Sequence, residues 1–303
     1  MNENKTTANV ISSPGSLSGF ARVLRKLWRS KTGVIGVVIV LSIIILAIFA
    51  PQIAPHDPAK QDYSAMLRPP AWVEGGTSEY ILGTDNLGRD ILSRIIYGTR
   101  ISLIVGLVSV MLAGAIGMLI GLVAGFFGGI VDAVFMRLVD AFLSIPSILF
   151  ALVLLSVTGP GVITLVVALG LTNWVVYARL VRGEVLSIRE RDFVKAARSI
   201  GVKNASIIVR HILPNVFSSF IVVSALTVAS TIISEASLSF LGLGIQPPTV
   251  SWGIMLSDGR NYLATSWWIA TFPGIAITIT VLGIIFLGDW LRDVLDPRSQ
   301  ASR

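Results

Sequence analysis

The stretch 195-KAARSIGVKNASIIVRHILPN-215 interrupts a chain of long apolar runs with Lys195, Arg198, Lys203, Arg210 and His211. From Glu184 to Ile200 the residues are charged and good helix formers, and Gly201 follows at the point where a glycine ends one helix and redirects the chain. Asn204 and Ser206 are placed to restart it. The second piece sets Ile207, Ile208, Ile212 and Leu213 on one stripe before Pro214 opens the next helix. This pattern predicts two short helices outside the hydrocarbon, with an apolar face held by the protein and a basic face left for something else. The competing reading is an interfacial loop whose arginines touch lipid phosphate.

The flanks fix the environment. The 303 residues are 53% hydrophobic and 14% charged with a positive mean hydropathy, which removes the chain from the soluble globular class. Apolar runs at 33–50, 101–125, 134–158, 161–178, 216–240 and 268–288 predict six membrane helices in an all-α membrane protein. Gly117, Gly121 and Gly125 recur every four residues inside the second run and share one face, where they permit a close helix crossing. The basic segment 20-FARVLRKLWRSK-31 before the first run has the charge order of a signal peptide. That run begins far from the N-terminus and "FAPQIAPHDP" offers no small-residue cleavage site, so the helix is read as retained.

Residues 1–32 carry six basic and one acidic side chain, 52–100 five basic and six acidic, and 179–210 eight basic and three acidic. The positive-inside bias places the first and last of these in the cytoplasm, the middle one outside, and both termini in the cytoplasm. The expected organisation is a disordered cytoplasmic tail at 1–19 and a basic amphipathic segment with the first membrane helix at 20–51. An external segment follows at 52–100, then a five-helix core at 101–290 that includes the loop 183–214, and a cytoplasmic tail at 291–303.

The net charge of +7 lies between hydrophobic segments, where it orients the chain and meets membrane lipids, so nucleic acid is not the expected partner. Absent cysteines exclude thiol chemistry, and two histidines without clustered acids give no metal site. The block 83-GTDNLGRD-90 lacks the Gly-Lys-Ser/Thr ending of a phosphate loop. Asp85 and Asp90 in it are placed to cap or pair locally, with Arg89 and Arg94 as partners. Glu235 lies in an apolar helix and must face protein or water. It either lines a translocation path or serves as a structural partner, and Asn173 has the same two readings. Asp140 is spaced to pair with Arg137 across one helix face, and Asp289, Arg292, Asp293 and Asp296 form a charged set after the last run. An ion-driven secondary transporter predicts unwound helices with polar residues near the membrane centre, for which Glu235 and Asn173 are the only candidates. A membrane enzyme requires a cluster of nucleophile, base and oxyanion donors, and none is visible.

The spacing Ala196-Ala197, Gly201, Leu213-Pro214 resembles the coupling loop of permease subunits of ATP-driven, binding-protein-dependent importers. Lys195 stands where that loop has Glu, and His211 where it has Ile. Four further blocks, "LGTDNLGRDILSRIIYGTRISL", "ARLVRGEVLSI", "SEASLSFLGLGIQPPTVSWGIML" and "LGDWLRDVLDPR", are similar to the peptide and nickel branch of that family, specifically the second of its two permeases. The resemblance covers about residues 20–298. It implies a type I ABC importer permease architecture with cytoplasmic coupling helices, in a bacterial or archaeal cytoplasmic membrane. Lys195, Ala196, Ala197, Gly201, Arg210, His211, Leu213 and Pro214 then form the ATPase coupling segment, and Asn173 and Glu235 become candidates for the translocation path. Asp85, Arg89 and Asp90 become candidates for external contact with the binding protein. The implied partners are a related second permease, two ATPase subunits and an external or periplasmic substrate-binding protein. The chain itself binds no cofactor, and ATP and Mg belong to the ATPases. Dipeptides or oligopeptides are the implied cargo, with nickel complexes, glutathione, opines or sugars as alternatives.

Overall fold

A computed structural model describes residues 19–295. The expected disordered tail, apart from Gly19, and the charged residue Asp296 lie outside the described residues. Helix α1 spans Gly19–Arg29, α2 Lys31–Ile48, the single turn α3 Ala50–Ile53, α4 Ile91–Phe127, α5 Gly129–Leu143 and α6 Ser147–Thr158. Then come α7 Val162–Arg189, α8 Asp192–Ser199, α9 Asn204–Ile207, α10 Leu213–Phe240, α11 Trp252–Gly259 and α12 Trp268–Leu295.

Five of these stretches are long and apolar enough to cross a membrane: α2, α4, α7, Asn204–Phe240 and α12. The sixth expected helix, 134–158, is instead two helices, α5 and α6, bent by 83° at the break. Pro146 explains the break, because it has no N–H to continue the helix and disfavours the α conformation in the residue before it. The Ser144 hydroxyl donates back to Ala141 O at 2.7 Å in the last turn of α5.

Two other boundaries move for physical reasons. Helix α4 starts at Ile91 rather than 101, because the Asp90 carboxylate accepts from Ser93 N at 2.9 Å and the Ser93 hydroxyl at 2.6 Å, capping the first turn. Helix α7 continues to Arg189, well past 178, so the first part of the polar interruption is the end of a membrane helix rather than a separate one.

The core is a bundle held by small residues. A Cβ placed on Gly117, Gly121 or Gly125 of α4 would lie 2.4 Å from Tyr177 Cβ, 2.7 Å from Val181 Cβ and 2.8 Å from Val185 Cβ respectively. The three glycines therefore seat α4 directly on the α7 backbone, the close approach that drives helix association where water supplies no hydrophobic force. Helix α12 packs on α2 in the same way, with Gly283 against Ile39 and Gly36 against the backbone of Leu287. Trp174, Tyr177 and Ala178 of α7, Val110 and Ala113 of α4, Ile232 of α10 and Ile284 of α12 join in the main cluster.

Candidate functional site

The polar interruption is built onto the ends of α4 and α7. Val194 and Ala197 of α8, Ile207, Ile212 and Val216 turn inward and pack with Leu122 and Phe126 of α4 and with Val181, Val185 and Ile188 of α7. The turn between α8 and α9 depends on Gly201. Its φ is +76°, a left-handed conformation that side chains resist. Gly201 N donates to Arg198 O at 3.0 Å and Val202 N to Ala197 O at 3.1 Å, the paired bonds of a Schellman cap. Val202 closes the cap by packing against the same apolar cluster as Ala197. After α9 the backbone widens into a π-helical turn, Ile208–Ile212, and Pro214 sits in the first turn of α10, where its missing N–H costs nothing.

The opposite face is open. Phe193 is 42% exposed, Ile200 80% and Val209 59%, and around them Lys195, Ala196, Arg198, Lys203 and Arg210 are exposed. Lys195 pairs with Glu190 at 3.3 Å on this rim. The Arg198 guanidinium stacks 4.9 Å from the centre of the Phe126 ring, and Arg189 Nη1 donates to Gly125 O at 2.7 Å. These contacts fasten the unit to the C-terminal ends of two membrane helices, α4 and α7.

Two ion pairs join α5 to α7. Arg182 donates from Nε and Nη2 to the two oxygens of Asp132 at 2.5 and 2.6 Å, and Arg179 pairs with Asp140 at 3.0 Å. Asp140 thus reaches across to α7 instead of pairing with Arg137 on its own helix.

At the other end of the bundle the Asp85 carboxylate is fully buried. It accepts from Leu87 N at 2.9 Å, Arg89 N at 3.0 Å and Arg89 Nε at 2.7 Å, and from Arg94 Nη1. Arg89 and Arg94 both continue to Asp258 of α11, at 3.1 and 3.0 Å. The indole of Trp268 donates to Thr84 O at 3.0 Å, which binds the same block to α12. Asp90 is buried as the α4 cap.

In the last two turns of α10, Glu235 is fully buried. Its carboxylate accepts from the Ser102 hydroxyl of α4 at 3.2 Å and the Ser239 hydroxyl at 2.9 Å, and Ser239 Oγ in turn accepts from Ile245 N at 3.2 Å. Asn173 of α7 donates to Thr231 Oγ1 of α10 at 3.3 Å.

Residues 117–300 match the family described as the binding-protein-dependent transport system inner membrane component, and residues 18–70 match the N-terminal TM domain of oligopeptide transport permease C. The chain belongs to the binding-protein-dependent permeases. It is 47% identical over 293 residues to the dipeptide transport system permease protein DppC of Escherichia coli K12, covering 97% of this chain and 98% of that one. It is 42% identical over 279 residues to the di/tripeptide transport system permease protein DppC of Pseudomonas aeruginosa, covering 91% and 92%. Among solved structures, an inward-facing form of the MetNI methionine ABC transporter shares the fold, with a TM-score of 0.57 at 20% identity over 68% of this chain and 98% of that one. The permease is thus a multi-pass inner-membrane, non-catalytic subunit of an ABC transporter.

Of the eight residues assigned to the coupling segment, Lys195, Ala196, Gly201, Arg210 and Pro214 are exposed, His211 and Leu213 are half-buried, and Ala197 faces inward. The His211 ring lies against Phe193, 6.2 Å between centres. Sequence reasoning missed Phe193, Ile200 and Val209, the apolar part of the open face. At 100° per residue 193, 196 and 200 fall within one arc of about 60° that borders the arc of 194 and 197, so helical spacing by itself does not separate the open face from the inward one. Asn173 and Glu235, both named for a path, each bridge α10 to a neighbouring helix and lie on different helices of one bundle. Of the three residues named for external contact, Asp85 and Asp90 are buried in local pairing and capping, and Arg89 is half-buried.

Proposed function

We propose that this permease is one half of the membrane pathway of an importer for dipeptides or oligopeptides, and that the open face of α8 and α9 is where an ATPase subunit pushes. The observation that carries the reading is the two-sided construction of residues 192–216. An apolar inner face is fixed to α4 and α7, and a second apolar patch, Phe193, Ile200 and Val209, stands exposed within a basic rim. An exposed apolar patch with a polar rim marks a protein interface. Closure of two ATPase subunits on ATP and Mg moves this unit, and α4 and α7 carry the motion through the bundle to alternate its access. The charge distribution supports cytoplasmic placement of both termini and of α8 and α9. A related second permease completes the pathway, and a binding protein delivers cargo at the external side, above the block held by Asp85, Arg89 and Asp90. Asn173 and Glu235, at the contacts of α10 with α7 and α4, sit where such a motion reshapes the path.

The peptide cargo is supported by the names of the similar permeases. Its test is uptake of a labelled dipeptide into liposomes containing the assembled transporter, with the binding protein added and ion gradients collapsed. ATP-dependent uptake, displaced by unlabelled di- and oligopeptides, is the expected result. Uptake driven by an ion gradient without ATP, or displacement only by nickel complexes, glutathione, opines or sugars, overturns the assignment.

A further inference from the structure

We propose that α1 is an in-plane membrane anchor whose basic face binds the headgroups of anionic phospholipids where α2 enters the bilayer. At 100° per residue, Leu24, Leu27 and Trp28 fall within one arc of about 100°, and Arg25, Lys26 and Arg29 fill the opposite arc. The helix contains no acidic residue. Its apolar arc has little protein cover, since Trp28 is 75% and Leu24 43% exposed while Leu27 is half-buried. With 11 residues it reaches roughly 16 Å, about half a hydrocarbon core, and so cannot span.

The junction fixes its place. Ser30 adopts an extended conformation, φ −100° and ψ 103°, which interrupts the helix, and its hydroxyl accepts from Gly33 N at 3.1 Å to begin α2. Gly33 is buried against the Trp290 ring of α12. The chain therefore breaks at the mouth of a membrane span, with a short two-faced helix on one side and the span on the other. At that boundary Leu24 and Trp28 meet acyl chains and the basic arc meets phosphate. Each basic side chain near an anionic leaflet is worth about fivefold in affinity. A protein partner is the alternative occupant, and it is disfavoured because only Ser30 separates α1 from a membrane span, which holds both of its arcs at the bilayer surface.

The test uses the absence of cysteine from this chain. Leu24→Cys, Arg25→Cys, Trp28→Cys and Arg29→Cys variants are labelled with an environment-sensitive fluorophore and assembled into the complete transporter, the other subunits' thiols being blocked. Nanodiscs are made of phosphatidylcholine alone or with phosphatidylglycerol. Labels at 24 and 28 are expected to be quenched by shallow nitroxide lipid at least twofold more than labels at 25 and 29, which iodide quenches instead. Lipid quenching at 24 and 28, whose variants leave the basic arc intact, is expected to rise with phosphatidylglycerol and to weaken by about half or more when salt is raised. Arg25→Gln, Lys26→Gln and Arg29→Gln together are expected to abolish the phosphatidylglycerol dependence. Shielding of 24 and 28 from both quenchers, which a protein partner produces, overturns the proposal. So does open access of all four positions to iodide, or lipid quenching indifferent to phosphatidylglycerol and salt.

Discussion

Replacing Gly117 by Ala tests how α4 and α7 are held together. The added Cβ lies 2.4 Å from Tyr177 Cβ and 2.5 Å from Trp174 O, against an ordinary contact of 3.4 Å or more, so the shortfall is 1.0 Å (3.4 − 2.4). Neither neighbour is the flexible end of a side chain, so the helices must separate. Overpacking of this kind costs about 1–3 kcal/mol. Gly→Ala within a helix also gains about 1 kcal/mol of propensity, which Gly183→Ala isolates, because Gly183 of α7 has nothing within 4 Å of its added Cβ. The propensity gain cancels in the comparison and the difference reads the clash. At about 2–4 °C per kcal/mol, the thermal midpoint of the assembled Gly117→Ala transporter is expected to fall at least 2 °C below that of Gly183→Ala, measured by tryptophan fluorescence in one detergent. Adding Gly121→Ala costs less than its own single effect, since one separation relieves both clashes. A Gly117→Ala midpoint equal to or above that of Gly183→Ala refutes the glycine seam.

Asp85→Asn leaves Arg94, 1% exposed, with Asp258 as its remaining charge partner. A loss of about 3–5 kcal/mol is expected, and Arg94→Gln in the same chain restores part of it in a double-mutant cycle read by thermal denaturation. Gly201→Val forces a β-branched residue to φ +76°, at a cost above the ~1–2 kcal/mol of an ordinary left-handed residue. The complex is expected to assemble with substrate-stimulated ATP hydrolysis reduced severalfold, and unchanged stimulation counts against the cap as the lever. Glu235→Gln removes the charge and keeps one carbonyl acceptor where Ser102 and Ser239 now donate to separate oxygens, its amide N–H donating to the other hydroxyl. Equal retention of uptake for cargoes with and without a free amino group places Glu235 in the scaffold, whereas selective loss of the amino-bearing cargo places it on the path.

The parts of this fold that local chemistry dictates were legible from sequence. The glycine repeat at 117, 121 and 125, the Gly201 turn and the inward stripe at Ile207 and Ile212 all follow from spacing along a single element. What was missed depends on partners far away in the chain. Asp85 was in view as a partner for Arg94, but Asp258, 164 residues further on, was not, and a window of polar residues gives no sign that it fixes the first turns of α4. Asp132 and Asp140 find Arg182 and Arg179 on another helix, 50 and 39 residues away, so a search for pairs three or four apart could not find them. The bend between α5 and α6 was different: Pro146 was in plain view, and the surrounding hydropathy concealed it. On the open face of α8, motif spacing pointed to Ala197, yet packing turns that residue inward and leaves Phe193 and Ile200 to the surface.

The central claim is that an ATPase subunit seats on the outer face of α8. Single cysteines introduced as Ala196→Cys, Ile200→Cys or, as a buried control, Val194→Cys are carried by a chain that has none of its own, in the purified complex with a short bifunctional cross-linker. The account predicts products joining this permease to an ATPase subunit from positions 196 and 200 and none from 194. Absence of such products from 196 and 200 in a complex that still hydrolyses ATP contradicts it.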